Sequence, residues 1–447
     1  MITRRHALGL LAASTLTNAQ PVKDNIVFIL VDDLKWNALS CLGHPWVKTP
    51  NIDRIAAEGA NLKNTFVTTP LCSPSRASFL TGRYVHSHGI KTNQNNNEAS
   101  FKLNFSAIAL QKAGYETAHV GKIHMGNDSS PRPGFDHWVS FKGQGVYTDP
   151  PLNVDGKESR HEGYMTDHLN DYAVKFLERP HSKPFLLYLA HKAVHGPFTS
   201  ADGYKGLYQG ASVPKTPAHM DKFDNKPVMT RQIEGAPAFD TNKWPSEDVA
   251  LNQMRCLASI DDGVGRILDT LKKTGKLDNT LVIFTSDNGY FWGEHHLGDK
   301  RWAYEDSIRI PMVARYPKWI KPGSSIEGMA LNIDISPTFL EVAGLPTPSS
   351  MHGRSLGPLL RGNTRNWRKS FLAEYFEEPQ NVRVPTWQAV RTAQHKYVHY
   401  LQHEEFDELY DLKADPSELK NLVNDPGSKK LLASLKAALA EINKRTP

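Results

Sequence analysis

Four short apolar runs in this chain stop abruptly at side chains that can do chemistry. "NIVFILVDD" (25–33) ends in Asp32 and Asp33, and "YETAHVGKIH" (115–124) ends in Lys122 and His124. "FLLYLAHKAVH" (185–195) ends in His195, and "LVIFTSDNG" (281–289) ends around Asp287 and Asn288. A polar pair closing a strand is usually a turn or a cap. Four such ends weigh more, because functional side chains of open α/β sheets gather beyond the carboxyl ends of the strands. Three aspartates and one asparagine offer only oxygen ligands, which suits Ca²⁺ or Mg²⁺ and not zinc or copper. Crowded without a cation, those carboxylates would raise one another's pKa. Ligand type alone does not separate calcium from magnesium.

Cations and proton carriers accompany this set: Arg76, Lys122, His124, His195 and Lys300. Lys122 and His124 are two apart, so on a continuing strand they project to one side. The stretch "PLCSPSRASFLTGRY" (70–84) adds a thiol. Cys72 and Arg76 are four apart and share a face of a helix that starts near Cys72, with Pro74 in its first turn and Gly82 at its end. Such a helix start attracts negative charge.

The elements that must position these residues follow from the pattern. Each apolar run reads as a strand buried on both faces. Helical segments lie between them at 54–58, 167–177 and 249–271, the last with Val264, Ile267, Leu268 and Leu271 on one face. The alternation predicts an α/β fold with a large, mostly parallel sheet flanked by helices. From about residue 367 the strands shorten ("WQAVRT", "KYVHYL") and a last amphipathic helix carries Leu431, Leu432, Leu435 and Ile442. This predicts a smaller C-terminal antiparallel sheet plus helix. The expected division is 1–19 export signal, 20–366 catalytic domain and 367–447 C-terminal subdomain. Residues 200–245, rich in Pro, Lys and Asp, read as a long surface excursion.

At 447 residues the chain can bury a substantial core. Beyond residue 20 nothing approaches the roughly 18 apolar residues of a membrane span. The start, "MITRRHALGLLAASTLTNAQ", has Arg4 and Arg5, an apolar run from Ala7 and a small residue at Ala19. It has the outline of an export signal and resembles a twin-arginine signal, although Ala7 stands where Phe is usual. A frayed N-terminal helix is the bland alternative. The expected location is periplasmic or secreted. Cys41, Cys72 and Cys256 are too few for a disulfide framework and fit no zinc spacing. Net charge is +6, with Lys and Arg scattered, which suits an anionic substrate better than nucleic acid.

The motifs carry a resemblance. Cys72-Ser73-Pro74-Ser75-Arg76 followed by Leu80-Thr81-Gly82-Arg83 resembles the signature of the type I sulfatases of the alkaline phosphatase superfamily. "ILVDDL", "GKIHMG", "HKAVHGPF", "TSDNGYFWGEHHLGDKR" and "YEDSIRIPM" follow as family-like blocks in order. The resemblance implies that Cys72 becomes formylglycine, made by a formylglycine-generating or radical maturase enzyme. It implies that Asp32, Asp33, Asp287 and Asn288 hold a metal, normally calcium, with residue 72 against it and Arg76 fixing the aldehyde hydrate. One hydroxyl of the hydrate would attack sulfur while Lys122 and Lys300 neutralise the sulfuryl oxygens. His195 would protonate the leaving oxygen, and His124 would take the proton from the second hydroxyl so that sulfate is expelled.

The chain is most similar to bacterial N-acetylglucosamine-6-sulfatase-like and mucin- or glycosaminoglycan-desulfating enzymes, which implies a sulfated carbohydrate substrate. Sulfatases of algal polysaccharides (carrageenan or ulvan) and phosphate or phosphonate ester hydrolases of the same superfamily are the alternatives. A thiolate hydrolase and a binding protein on a dead scaffold are further ones. Lys122, His195, Lys300 and Arg301 are the expected substrate-binding residues. His44, Trp46, His86, His88, Asn93 and His296 are candidate pocket residues.

Overall fold

The computed structural model describes residues 23–94, 96–233 and 245–446. The expected export signal lies outside the described residues.

A ten-stranded sheet organises the chain. From edge to edge its strands are Ser324–Ile326, Ala60–Leu62, Met312–Arg315, Thr280–Ser286, Asn25–Val31, Phe185–Ala190, Glu116–Gly121, His137–Ser140, Pro151–Val154 and Lys157–Arg160. The five strands from Thr280–Ser286 to His137–Ser140 run parallel, and antiparallel pairings enter only outside them. All seven residues of the middle strand are buried. Its Val27, Ile29 and Val31 join one core cluster and its Ile26, Phe28 and Leu30 the other, as strand alternation requires when both faces are covered.

Helices Pro50–Ala57, Met165–Glu178 and Glu247–Lys273 cover one face. Cys72–Thr81, Ser106–Lys112 and Ile335–Val342 cover the other. The 27-residue helix starts on Ser246, whose hydroxyl accepts from Asp248 N–H, and turns Val264, Ile267, Leu268 and Leu271 into the core. The three helices expected from periodicity are present; the second and third are longer at both ends, and the first starts four residues earlier and ends at Ala57.

Four antiparallel strands follow: Ser370–Tyr375, Trp387–Thr392, His395–Tyr400 and Glu408–Asp411. Helix Lys429–Arg445 packs on them through Leu435 and Leu439, with Leu431, Leu432 and Ile442 half-buried beside them. This sheet shares its core with Phe66, Leu71, Phe291 and Tyr304 of the larger body.

The 200–245 segment is not only a surface excursion. Within its described part Val228 and Met229 are buried against the C-terminal sheet, and the fully buried Lys226 Nζ bonds Asp221 (2.5 Å) and the Glu418 carbonyl (2.6 Å). A buried ammonium needs such partners, which the composition of the segment does not reveal.

Candidate active site

The central strands deliver their polar ends to one place. Asp32 and Asp33 follow Val31, and Asp287 and Asn288 follow Ser286 of the parallel neighbour. The two turns are stitched together. Asp33 N–H donates to Asp287 Oδ1 (3.2 Å), Leu34 N–H to Ser286 Oγ (2.9 Å) and Asn288 Nδ2 to Asp33 Oδ1 (2.7 Å). Asp33 takes a left-handed φ of 61°, breaking strand alternation so that consecutive carboxylates share the cluster. Ligand atoms of Asp32, Asp33 and Asp287 all lie within 4.8 Å of one another.

Cys72 opens helix Cys72–Thr81, which ends at Gly82 with a left-handed φ of 68°. The thiol is fully buried and Sγ lies 3.6 Å from Asp32 Oδ1. Asn93 Oδ1 accepts the N–H of Ser73 (2.9 Å), taking one of the free donors of the first turn. Arg76, one turn on, donates to Asp287 Oδ2 (2.8 Å), Asp32 Oδ2 (3.1 Å) and the Lys122 carbonyl (2.8 Å).

Lys122 Nζ is held by Asp32 and Gln144 Oε1. The expected strand continuation from Lys122 to His124 is wrong. The strand stops at Gly121, whose φ of 119° no L side chain suits and whose Cβ would lie 1.8 Å from the Ala190 carbonyl oxygen. His124 itself has a φ of 51°. Both residues still reach the cluster, through irregular backbone and not through pleating.

Lys300 Nζ bonds both oxygens of Asp33 (2.6 and 2.7 Å). His195 Nε2 lies 3.7 Å from Asp33 Oδ2, while its Nδ1 is 3.0 Å from the Gly196 carbonyl. That contact makes Nδ1 the donor and leaves Nε2 facing the cluster. Lys192 Nζ bonds the same carbonyl (2.9 Å), and the Tyr147 hydroxyl donates to the His195 carbonyl (2.6 Å). The Lys192 ammonium sits 4.7 Å from the Tyr147 ring centre.

Burial works to raise every carboxylate here, and their partners decide the outcome. Lys122 and Arg76 hold Asp32 well below its ordinary range, and Lys300 and His195 lower Asp33. Asp287 is pushed up to about 7, by burial and by Asp32 beside it. Burial lowers His195 to about 4 against the pull of Asp33, and burial with Lys122 holds His124 well below its usual value. Burial, then Asp32, push the Cys72 thiol far up, which outweighs the helix start.

The remaining candidates separate. Asn93 and Arg301 adjoin the cluster. Arg301 Nε donates to Glu378 Oε2 (2.7 Å), and Glu378 Oε1 accepts the Asn93 N–H (3.1 Å). Glu378 is fully buried and ties the segment after the strand Ser370–Tyr375 to both sides of the site. Sequence reading missed it, along with Gln144, Tyr147 and Lys192, although Lys192 lies only two residues past the strand Phe185–Ala190. His44 packs edge-on against Trp46 and Trp292, and Trp46 Nε1 bonds the Ser212 carbonyl. His86 pairs with Glu374, His88 bonds Ser78, and His296 Nε2 meets the Asp221 carbonyl (2.9 Å). Among the described residues, His44, His86, His88 and His296 make these contacts and not ones to the carboxylates of Asp32, Asp33 and Asp287.

The cluster fits a hard cation. Asn288 Oδ1 is buried without a hydrogen-bond partner beside three carboxylates, although its Nδ2 is satisfied. An acceptor left open among anions is what an oxygen-liganded ion requires.

Comparison with known proteins places this constellation. A family model described as Sulfatase matches residues 24–345, and one described as N-sulphoglucosamine sulphohydrolase, C-terminal, matches 293–445. An N-acetylglucosamine-6-O-sulfatase of Bacteroides thetaiotaomicron is 33% identical over 98% of this chain and 90% of its own length. The N-acetylglucosamine-6-sulfatase of Homo sapiens is 30% identical over 90% of this chain and 81% of its own length. A solved structure in complex with its substrate D-glucosamine-2-N,6-O-disulfate superposes with a TM-score of 0.86 at 31% identity, covering 95% of this chain and 98% of that one.

Proposed function

The chain belongs to the sulfatase family and is a sulfuric ester hydrolase, and from that premise we propose that it is an exported enzyme removing the 6-O-sulfate of N-acetylglucosamine, or of a related glucosamine, from glycosaminoglycan or mucin chains. The near-full-length likeness to an N-acetylglucosamine-6-O-sulfatase carries the choice of sugar and position. Export rests on the sequence of residues 1–19. Among the described residues no helix is long and apolar enough to cross a membrane.

In this reading Asp32, Asp33, Asp287 and Asn288 Oδ1 hold a divalent ion next to residue 72. Four protein oxygens in a buried site favour calcium over magnesium, which prefers to keep its waters. The ion supplies positive charge that draws electron density from the sulfuryl oxygens. Formylglycine at position 72 supplies a hydrated aldehyde whose second hydroxyl allows sulfate to leave without a second attack on sulfur. A formylglycine-generating or radical maturase enzyme would read the Cys72-to-Arg76 motif.

The chain's own groups divide the rest. Arg76 clamps Asp32 and Asp287 and so fixes the wall against which residue 72 lies. Lys122 and Lys300, each fixed by a carboxylate, present ammonium groups to the sulfuryl oxygens as charge develops. His195, protonated on Nε2 as well as Nδ1 once the anionic ester is bound, would deliver the Nε2 proton to the departing sugar oxygen, and His124 would accept one from the oxygen on residue 72. Arg301, positioned by Glu378, contacts the sugar.

Two measurements test this together. The peptide containing residue 72, from natively produced enzyme, should have the mass of the aldehyde. Sulfate release should be fastest from N-acetylglucosamine 6-sulfate among its positional isomers and should vanish in Cys72→Ala. An active enzyme with an unmodified thiol would sink the aldehyde mechanism; faster release from another position would sink the choice of substrate.

A further inference from the structure

A cleft of about 490 Å³ opens between the larger body and the C-terminal helix, lined by residues from 349–354, 366–371 and 442–446 together with Tyr84 and Ile333. None of its fifteen lining residues is acidic, while four are Arg354, Arg368, Lys369 and Arg445. Arg368 is fixed from below by both oxygens of the buried Asp334, and its guanidinium lies 5.0 Å from the ring centre of half-buried Trp367. The other three are exposed. Lys369 makes no ion pair among the described residues, and Arg354 meets only the Asn366 carbonyl (3.3 Å) with its side chain. Arg445 has the exposed Glu441 as its partner, a pairing that solvent screens.

The cleft stands apart from the site already described. Helix Cys72–Thr81 has its first residue in the catalytic cluster, and the Gly82 carbonyl just past its last residue accepts the His352 N–H (2.9 Å) from the cleft wall. Ten residues at helical rise separate the two by about 15 Å.

We propose that this cleft is an accessory binding site for an anionic saccharide, one that holds a second, non-reacting stretch of a sulfated chain. The volume is within the range of small-ligand sites, roughly 300–1,000 Å³. Guanidinium and ammonium groups bond sulfate and carboxylate oxygens, and the half-buried indole of Trp367 gives the cleft an apolar wall for a sugar ring. No carboxylate on the lining opposes such a ligand. The proposal rests on the reading of the enzyme as one acting on sulfated chains, and its test does not need turnover.

The probe is a fluorescent sulfated oligosaccharide prepared from heparin, titrated into the full chain carrying Cys72→Ala, with and without Arg354→Gln, Lys369→Gln and Arg445→Gln. The substituted residues are exposed, and matching melting curves confirm that both proteins are folded. The triple variant should lose one class of site, or bind about tenfold more weakly. Lys369→Glu alone should move the isotherm in the same direction. With Cys72 restored, the triple variant should turn over a monosulfated sugar at the unmodified rate while its KM for long chains rises. Superimposable isotherms would overturn the proposal, as would equal binding of an unsulfated oligosaccharide, or displacement by inorganic sulfate at the same concentration of sulfate groups. If no substrate is ever hydrolysed, the sulfatase reading fails while the isotherms still decide the cleft.

Discussion

The contacts around His195 make a quantitative demand. Tyr147 and Lys192 hold the two carbonyls that flank the ring, at 2.6 and 2.9 Å, and Gly196 O takes the Nδ1 proton as well. Removing the Tyr147 hydroxyl deletes a neutral bond with a net value of about 1 kcal/mol, and removing the Lys192 ammonium deletes a charged one worth about 1.5–3 kcal/mol. If both bonds serve to aim Nε2 at the departing oxygen, Tyr147→Phe should lower kcat/KM on a sugar sulfate about fivefold, and Lys192→Met about ten- to a hundredfold. Deleting His195 itself should cost about 10²–10⁴-fold. An activated aryl sulfate, whose leaving group needs no proton, should be spared in all three. Tyr147→Phe added to His195→Ala should change nothing further, because the group it positions is gone. The assay is a series of sulfate esters spanning leaving-group pKa, with melting curves as a check on folding. Equal losses across the series, or additive losses in the double variant, would refute the assignment of His195 as the acid and of its neighbours as its holders.

Other expectations can be checked more briefly. Stripping divalent ions with a chelator should abolish sulfate release and lower the melting temperature, since an ion at a hundred times its Kd stabilises by about 2.7 kcal/mol; a fully stripped, active enzyme would contradict the ligand set. At His86 burial disfavours the charged ring, but Glu374 at 2.9 Å outweighs it and the pKa is raised. That stabilisation is complete below the unfolded value of about 6.5 and disappears as pH rises through the raised folded value, so the melting gap between the parent and His86→Gln should shrink on going from pH 6 to pH 9. A gap that widened with pH would reverse the assignment. Gly121→Ala places a methyl 1.8 Å from the Ala190 carbonyl oxygen at a φ of 119°, so soluble yield should collapse, and normal yield would show that the strand pair can part there.

Much of the site was legible because strand ends are local signals. Asp32, Asp33, His195, Asp287 and Asn288 each follow an apolar run within a few residues, and parallel pairing brings those ends together whatever the intervening loops do. The Cys72 helix was legible for the same reason, from Pro74 to its Gly82 cap. Lys122 and His124 were assigned to the right place by the wrong geometry, since Gly121 ends the pleat before it can align them. Glu378 was invisible, because its value comes from meeting Asn93 at a separation of 285 residues and Arg301 at 77. Lys226 inside a polar loop misled in the opposite way: besides Asp221 in its own segment, its buried partner is the Glu418 carbonyl, 192 residues further on and past the last strand of the C-terminal sheet.

The sealed position of Cys72 sets a timetable for its chemistry. If residue 72 is matured to formylglycine as proposed, its side chain has no exposed surface in the finished fold, which favours modification while the chain is still open. The neighbouring contacts close late: Arg76 waits for Asp287, 211 residues further on, and Asn93 waits for Glu378, 285 residues further on. At synthesis rates of roughly 5–20 residues per second, the second of these intervals lasts on the order of 15–60 s. On that reading the wide separation of these partners would act as a delay line, keeping the motif reachable until Asp287 and then Glu378 have emerged.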